Sequence, residues 1–113
     1  MGTDVWGPHG WKFFHYITLG YPDNPSNMDI KIYKNFFNLI GKVLPCSMCR
    51  DNYNKHIKEN PLDMITMSNK NKFIKWGIKM HNIVNKELGK RIYTNSEVID
   101  DIIMDKSCSS NGK

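Results

Sequence analysis

The sequence lacks any apolar run that approaches the roughly 20 residues needed to span a membrane as a helix. Residues 1–5 also lack the basic and then apolar pattern of a secretory signal. Both absences predict a protein that has no membrane span, is not secreted and works in the cytoplasm.

Arginine is nearly missing from this basic chain. The net charge is +5, yet of 16 Lys and Arg residues only Arg50 and Arg91 are arginine. The lysines are scattered with no dense run, whereas nucleic-acid interfaces concentrate basic residues and favour Arg for phosphates. We therefore interpret the lysines as solvated helix faces and predict no nucleic-acid partner. A mildly basic surface still attracts an anionic cofactor.

Cysteine is scarce and odd in number, which argues against a framework of structural disulfides. Two of the three cysteines, Cys46 and Cys49, follow Pro45 as a Cys-x-x-Cys pair. In a protein that is not secreted, such a pair indicates redox or metal chemistry, and the motif alone does not separate the two. Its predicted place at a helix start favours a thiolate, because free N–H groups and the helix dipole lie there.

Strand-like alternation is absent as well, so the predicted fold is all-α: a four-helix bundle with a short fifth helix. The chain is the length of one domain. We place that domain at residues 1–105 and a flexible tail, rich in Ser, Asn, Gly and Lys, at 106–113.

Helix boundaries are predicted from caps and breakers. The first helix should run from Pro8 to about Leu19. Ser26 and Asp29 form a variant capping box for the second. That helix carries a predicted core stripe of Ile32, Tyr33, Phe36, Phe37, Ile40 and Val43 or Leu44.

The third helix is predicted to begin at the cysteine pair and to end before Pro61. Ser68 should cap the fourth, and Gly89 should end it. A second capping box, Thr94 and Glu97, precedes the fifth. The predicted inward residues of the fourth helix are Phe73, Trp76 or Gly77, Met80, Val84 and Leu88.

Polar residues on the fourth helix suggest a ligand site. His81 and Asn85 share one face, with Asn82 beside them, and asparagine is a mediocre helix former. Solvent exposure would explain either asparagine alone, but together with the other motifs a ligand with polar edges explains them better. Trp11 and His15 share a face of the first helix, a spacing that is typical of core packing. His9 and His56 are predicted to lie at the surface.

Four motifs follow one another along the chain: Gly7-x-x-x-Trp11-x-x-x-His15, Tyr21-Pro22-Asp23-x-Pro25, Pro45-Cys46-x-x-Cys49 and Trp76-x-x-x-x-His81-Asn82-x-Val84-Asn85. Together they resemble the Erv/ALR family of FAD-linked sulfhydryl oxidases over residues 6–93. The resemblance implies a helical bundle that holds FAD, usually as a homodimer. It also implies oxidation of a thiol-containing protein substrate, or of a thiol-shuttle protein, with O2 as acceptor and H2O2 as product.

The resemblance also implies the site. Cys46 and Cys49 would be catalytic, with Cys46 attacked by substrate and Cys49 beside the flavin. Aromatic side chains would stack on the adenine, and Lys90 would lie near the phosphates or the ring. The implied cofactor-binding set is Gly7, Trp11, His15, Cys49, Tyr53, Trp76, His81, Asn82, Val84, Asn85, Lys90 and Tyr93.

This chain departs from cellular members of that family. Ile57 and Ile78 stand where those members often have a structural disulfide, and Ile102 replaces an aromatic residue. Cys108, alone in the tail, is an incidental thiol, a shuttle or half of an intermolecular disulfide. This shorter form, without the additional cysteine pairs, resembles the small oxidases of large DNA viruses. That resemblance implies a location in the host cytoplasm or in the virion.

Two alternatives remain open from the residues. Cys46, Cys49, His56 and His81 could form a Cys2His2 zinc site in a small binding module. Zinc would leave Trp11 and the asparagines without a role. A plain helical interaction domain with incidental thiols explains even less.

Overall fold

The computed structural model describes residues 2–102, in which helices joined by loops are the only regular secondary structure. These are α1 (Thr3–Leu19), α2 (Asn27–Ile40), α3 (Ser47–Glu59), a 3-10 helix (Thr66–Ser68) and α4 (Lys70–Glu87). A further helix, α5, begins at residue 95 and reaches residue 102, where the described part ends. The predicted all-α fold is confirmed. Across residues 2–102 no helix is both long and apolar enough to cross a membrane.

Both predicted capping boxes are confirmed. The backbone N–H of Asp29 donates to Ser26 Oγ at 3.1 Å, and Ser26 N–H donates back to the Asp29 carboxylate at 2.9 Å. Thr94 and Glu97 exchange the same pair of bonds, at 3.0 and 3.2 Å. Each box satisfies two N–H groups that a helix start leaves free, so α2 and α5 begin where the sequence indicates.

Two other predicted helix starts are wrong. α1 begins at Thr3, so Pro8 lies inside the helix and leaves one carbonyl near its start without an intrahelical donor. Ser68 closes the 3-10 helix by donating to the Ile65 carbonyl, and Asn69 caps α4 by accepting from Lys72 N–H. Serine and asparagine are both good caps, and the sequence alone did not separate two adjacent candidates.

One aromatic ring from almost every helix meets in the core. Phe37 of α2 lies edge-on to Phe14 of α1 at 5.0 Å and to Phe73 of α4 at 5.1 Å, measured between ring centroids. Trp76 contacts the same cluster, and Tyr53 of α3 donates its hydroxyl to the Phe37 carbonyl at 2.7 Å. This cluster fixes the positions of the helices that carry the candidate site.

The predicted core stripe of α2 is only half correct. Phe37 is buried and Tyr33 is half-buried, but Ile32 and Phe36 are exposed. Leu88, predicted inward on α4, is also exposed. The apolar residues of α2 therefore form two faces, and only one of them faces the core.

Gly41, just after α2, allows α3 to approach closely. A Cβ at this position would lie 2.0 Å from Asn54 Oδ1 and 2.8 Å from the ring of Tyr53. Gly41 has an ordinary helical backbone conformation, so space alone excludes a side chain.

Replacing Gly41 with Ala should therefore destabilise the fold by about 1–3 kcal/mol, because the buried Tyr53 ring must move. Gly20→Ala is the control, since its Cβ would lie 3.6 Å from the nearest atom, an ordinary contact. Urea denaturation of both variants measures the difference in the free energy of unfolding. Equal stability of the two variants would contradict the close approach.

Candidate functional site

The Cys-x-x-Cys pair lies at the start of α3, as the sequence predicts. Cys46 is the N-cap residue, with extended backbone angles, and its Sγ accepts the backbone N–H of Cys49 at 3.3 Å. Both thiols are reduced and half-buried. The first cysteine therefore replaces the Ser, Thr or Asp that usually caps a helix, and its sulfur faces the free N–H groups.

The two thiols differ in acidity. The pKa of Cys46 is lowered, chiefly by the hydrogen bond from the Cys49 side chain and then by the Cys49 backbone N–H. The pKa of Cys49 is raised, chiefly by burial and then by its hydrogen bond to Cys46. In the reduced pair the negative charge therefore settles on Cys46, while Cys49 keeps its proton.

Arg50 contributes to this site and was not identified from the sequence. Its guanidinium donates to the Leu44 carbonyl at 2.6 Å, which ties the chain before Cys46 to the first turn of α3. Its charge also acts to lower the pKa of Cys49, against the larger effect of burial. The sequence did offer a hint of this role: Arg50 is one of only two arginines in the chain, and it directly follows the Cys-x-x-Cys motif.

A second group of side chains joins α1 to α4. His15 Nε2 and His81 Nδ1 are hydrogen-bonded at 2.9 Å. The indole of Trp11 stacks on the His81 ring, with centroids 4.1 Å apart and planes 7° from parallel. The structure thus brings together three of the predicted cofactor-binding residues, from two helices.

Both imidazoles of this group are held neutral. Burial, followed by the neighbouring His81, lowers the pKa of His15 to about 3. Burial, followed by the charge of Lys90, lowers the pKa of His81 to about 4. His15 Nδ1 is buried and has no hydrogen-bond partner among residues 2–102, which is unusual for a polar atom inside a protein.

Asn82 holds the chain that follows α4. Its amide nitrogen donates to the Tyr93 carbonyl at 2.8 Å, and its amide oxygen accepts the Tyr93 N–H at 3.0 Å. Asn85 is buried, and its side-chain amide nitrogen donates to the Asn82 amide oxygen at 3.5 Å. The backbone carbonyl of Asn85 accepts the Lys90 N–H at 2.7 Å. The two asparagines therefore position the segment that carries Lys90 and Tyr93.

The remaining predicted residues lie in two settings. Trp76 is part of the aromatic core and donates its indole N–H to the Asn60 carbonyl at 2.8 Å. Tyr53 is also a core residue, and burial raises its pKa. Gly7 and Val84 are half-buried on α1 and α4.

The prediction that His56 lies at the surface is wrong, whereas His9 is exposed as expected. His56 is buried, with Nε2 2.8 Å from the carboxylate of Glu87 and Nδ1 3.8 Å from that of Glu59. Because His81 pairs with His15 instead, the four side chains of the zinc alternative do not converge. Within residues 2–102 no three His, Cys, Asp or Glu side chains are placed to share a metal ion.

Comparison with known proteins places this arrangement in a family. Residues 8–103 match the Erv1/Alr family. The chain belongs to the Erv1/Alr family. The match begins two residues later than the predicted stretch, residues 6–93, and extends ten residues beyond its end, so it includes α5.

Viral relatives within the Erv1/Alr family are similar over most of their length. A probable FAD-linked sulfhydryl oxidase of Acanthamoeba polyphaga mimivirus is 42% identical over 102 residues, which cover 90% of this chain and 71% of that protein. An FAD-linked sulfhydryl oxidase of African swine fever virus is 34% identical over 96 residues, covering 81% and 75%.

Solved structures of the family share the fold. The crystal structure of the FAD binding domain of Erv1 from Saccharomyces cerevisiae gives a TM-score of 0.79 at 26% identity, covering 85% of this chain and 89% of that one. The yeast Erv1 core gives the same TM-score at 25% identity, covering 85% and 79%.

The acidity of Cys46 should depend on the side chain at position 49. In a Cys108→Ser background, Cys49→Ala removes the hydrogen-bond donor that stabilises the Cys46 thiolate, so the Cys46 pKa should rise. Cys49→Ser keeps a donor and should raise that pKa less. The pH dependence of iodoacetamide alkylation measures both, because Cys46 is then the only thiol. Identical profiles for the two variants would contradict the role of this hydrogen bond.

Proposed function

We propose that this protein is an FAD-linked thiol oxidase, which forms disulfides in a thiol-containing protein substrate or a thiol-shuttle protein. Its electron acceptor is O2 and its product H2O2. The observation that carries the proposal is the Cys46–Cys49 pair at a helix start in an Erv1/Alr fold. The relatives described above are themselves named FAD-linked sulfhydryl oxidases. A location in the host cytoplasm or in the virion stays a prediction.

The side chains between α1 and α4 fit a flat aromatic cofactor. Trp11 and His81 are already arranged in a stack, the contact that such a ring would make or extend. His15 Nδ1 is buried and has no partner in the described part of the chain, so a hydrogen bond from a polar group of a bound cofactor would satisfy it. Lys90 is exposed beside His81 and suits the negative phosphates of FAD.

The residues proposed to hold FAD differ in kind. Trp11, His15 and His81 would contact it through their rings, and Lys90 through charge. Asn82 would act by holding the backbone of Tyr93, and the Asn85 side chain by its contact with the Asn82 amide. Bound FAD would accept two electrons from the reduced cysteine pair and return them to O2 as H2O2. The other members of the predicted cofactor-binding set also remain part of the proposal: Gly7, Cys49, Tyr53, Trp76 and Val84.

The geometry at α3 supports the following roles for the two cysteines. A substrate thiolate attacks Cys46 in the Cys46–Cys49 disulfide; that bond breaks, a substrate–Cys46 disulfide forms, and Cys49 takes a proton. The second substrate thiolate then attacks the substrate sulfur, forms the substrate disulfide and expels Cys46 as a thiolate. The lowered pKa of Cys46 favours this departure, because a more acidic thiol is a better leaving group.

Cys49→Ser should abolish turnover of dithiothreitol while the protein keeps the absorbance of bound flavin. The change removes one sulfur of the redox pair and leaves the α1–α4 contacts intact. Oxygen consumption and the spectrum from 300 to 600 nm measure activity and cofactor separately. A purified wild-type protein without flavin absorbance, or a Cys49→Ser variant that consumes oxygen normally, would sink the proposal.

Cys108→Ser serves as the matched control, because Cys108 lies outside the described residues and outside the proposed pair. It should oxidise dithiothreitol at the wild-type rate. Non-reducing electrophoresis of the same variant distinguishes an incidental thiol from an intermolecular disulfide.

The exposed face of α2 supports a homodimer. Met28, Ile32, Phe36 and Leu39 recur at spacings of four, four and three residues, and each is between 43% and 62% exposed. A row of large apolar side chains on one helix face is costly in water and typical of a subunit interface. We therefore propose that this face packs against the same face of a second copy.

Ile32→Glu should weaken that dimer at least tenfold, because twofold symmetry brings two carboxylates together in an apolar interface. Ile65→Glu is the control, since Ile65 is 69% exposed but lies in the loop before α4. Sedimentation velocity over a range of concentrations reports the monomer–dimer equilibrium. A wild-type protein that stays monomeric at high micromolar concentration would contradict the proposed interface.

A further inference from the structure

α4 carries a row of basic side chains along one face. Lys72, Lys75, Lys79 and Lys86 follow one another at helical spacing, with Asn82 between the last two. All four lysines are exposed, and the row is about 21 Å long at 1.5 Å per residue. We call these four residues the lysine seam. The sequence alone suggested scattered lysines, and the helix aligns them.

Most of the seam works against the stability of its own helix; the exception is Lys86, which lies in the last turn, where the helix dipole favours a cation. The sole acidic residue of α4 is Glu87, which is bonded to His56, and no acid lies three or four residues from a seam lysine on this helix. Lys72 and Lys75, and likewise Lys75 and Lys79, are neighbours of like charge, which repel. Lys72 also lies in the first turn, where the helix dipole disfavours a cation.

Another lysine of α4 forms an ion pair, which is the usual way in which a surface lysine is compensated. Lys70 lies 3.8 Å from the carboxylate of Asp23. Within residues 2–102 the four seam lysines have no such ion pair. Glu59 and Asp63 line a groove together with three seam lysines but form no ion pair with them within the described residues. A row of like charges without such pairs indicates a surface used for binding.

Two grooves meet at the seam. The larger has a volume of about 470 Å³ and the smaller about 350 Å³, and Lys75 and Lys79 line both. Ile83 and Ile92 line the larger groove beside the lysines. This groove therefore combines cationic side chains with apolar surface.

We propose that the lysine seam and its larger groove dock an acidic, partly apolar peptide segment of a protein partner. An extended peptide presents alternate side chains to opposite sides, so carboxylates can meet the lysines while apolar residues meet the isoleucines. The 21 Å row matches about six extended residues. If the proposed function holds, the natural partner is the thiol-containing protein.

The chemistry of the groove favours a peptide over a nucleic acid. Neither arginine of the chain lines it, although arginine is the preferred partner of phosphate. Its apolar part would face no complementary group on a phosphate backbone. Lys79 and His81 are two residues apart and so point in different directions, although Asn82 and Trp76 of the proposed cofactor set also line the two grooves.

The test uses fluorescence anisotropy with a labelled 12-residue peptide of alternating Glu and Leu. Lys75→Gln/Lys79→Gln should raise its dissociation constant at least tenfold. Lys55→Gln/Lys58→Gln, which removes the same charge from exposed positions on α3, should change it less than twofold. A peptide with Gln in place of Glu should not bind. Anisotropy needs no turnover, so an inactive protein would contradict the proposed function and leave this readout intact.

Several results would overturn the docking surface. Equal weakening by both double variants would show attraction by net charge alone. A single-stranded oligonucleotide of equal charge that binds the seam more tightly than the peptide would assign it to nucleic acid. The thermal midpoint of Lys75→Gln/Lys79→Gln should equal or exceed that of wild type, since like-charged neighbours are removed. A lower midpoint would show that the lysines serve the helix.

Discussion

The close packing of α1 on α4 is the contact on which the rest of the site depends. Gly77 makes it possible, because a Cβ there would lie only 3.2 Å from the Thr18 methyl group. At this distance the rings of the two helices meet directly. His15 is buried between them, with one ring nitrogen bonded to His81 and the other without a partner among residues 2–102. The same burial keeps both imidazoles neutral, so the region accepts an aromatic ligand without first losing a proton.

Local features of the sequence were enough to place the redox pair. A Cys-x-x-Cys after Pro45 at a helix start is a property of a few adjacent residues, as are the two capping boxes, and all three were predicted. The difference in acidity between Cys46 and Cys49 was not predictable in the same way. It depends on how deeply each sulfur is buried and on the hydrogen bond between them, which only the folded chain determines.

Predictions that required long-range partners fared worse. His56 was assigned to the surface because nothing near it in sequence indicates burial, and its partner Glu87 is 31 residues away. Ile32 and Phe36 were assigned to the core because helical spacing does not distinguish an apolar face that meets the core from one that is exposed. The bonds between the Asn82 amide and the backbone of Tyr93 were also not predictable, because a helical pattern does not reveal them, and the cofactor role of Asn82 stays a prediction.

The proposed cofactor contact and the proposed peptide contact lie on different faces of α4. One face carries His81 toward α1 and the proposed cofactor, and another carries Lys79 toward open grooves. Because a helix turns 100° per residue, His81 and the seam lysines point in different directions, and Asn82 lies between the two faces. A partner held at the lysines would leave the imidazole pair undisturbed, so the recognition of a protein and the transfer of its electrons depend on different residues. Substitutions in the seam can therefore change which proteins are oxidised without changing how a thiol is oxidised.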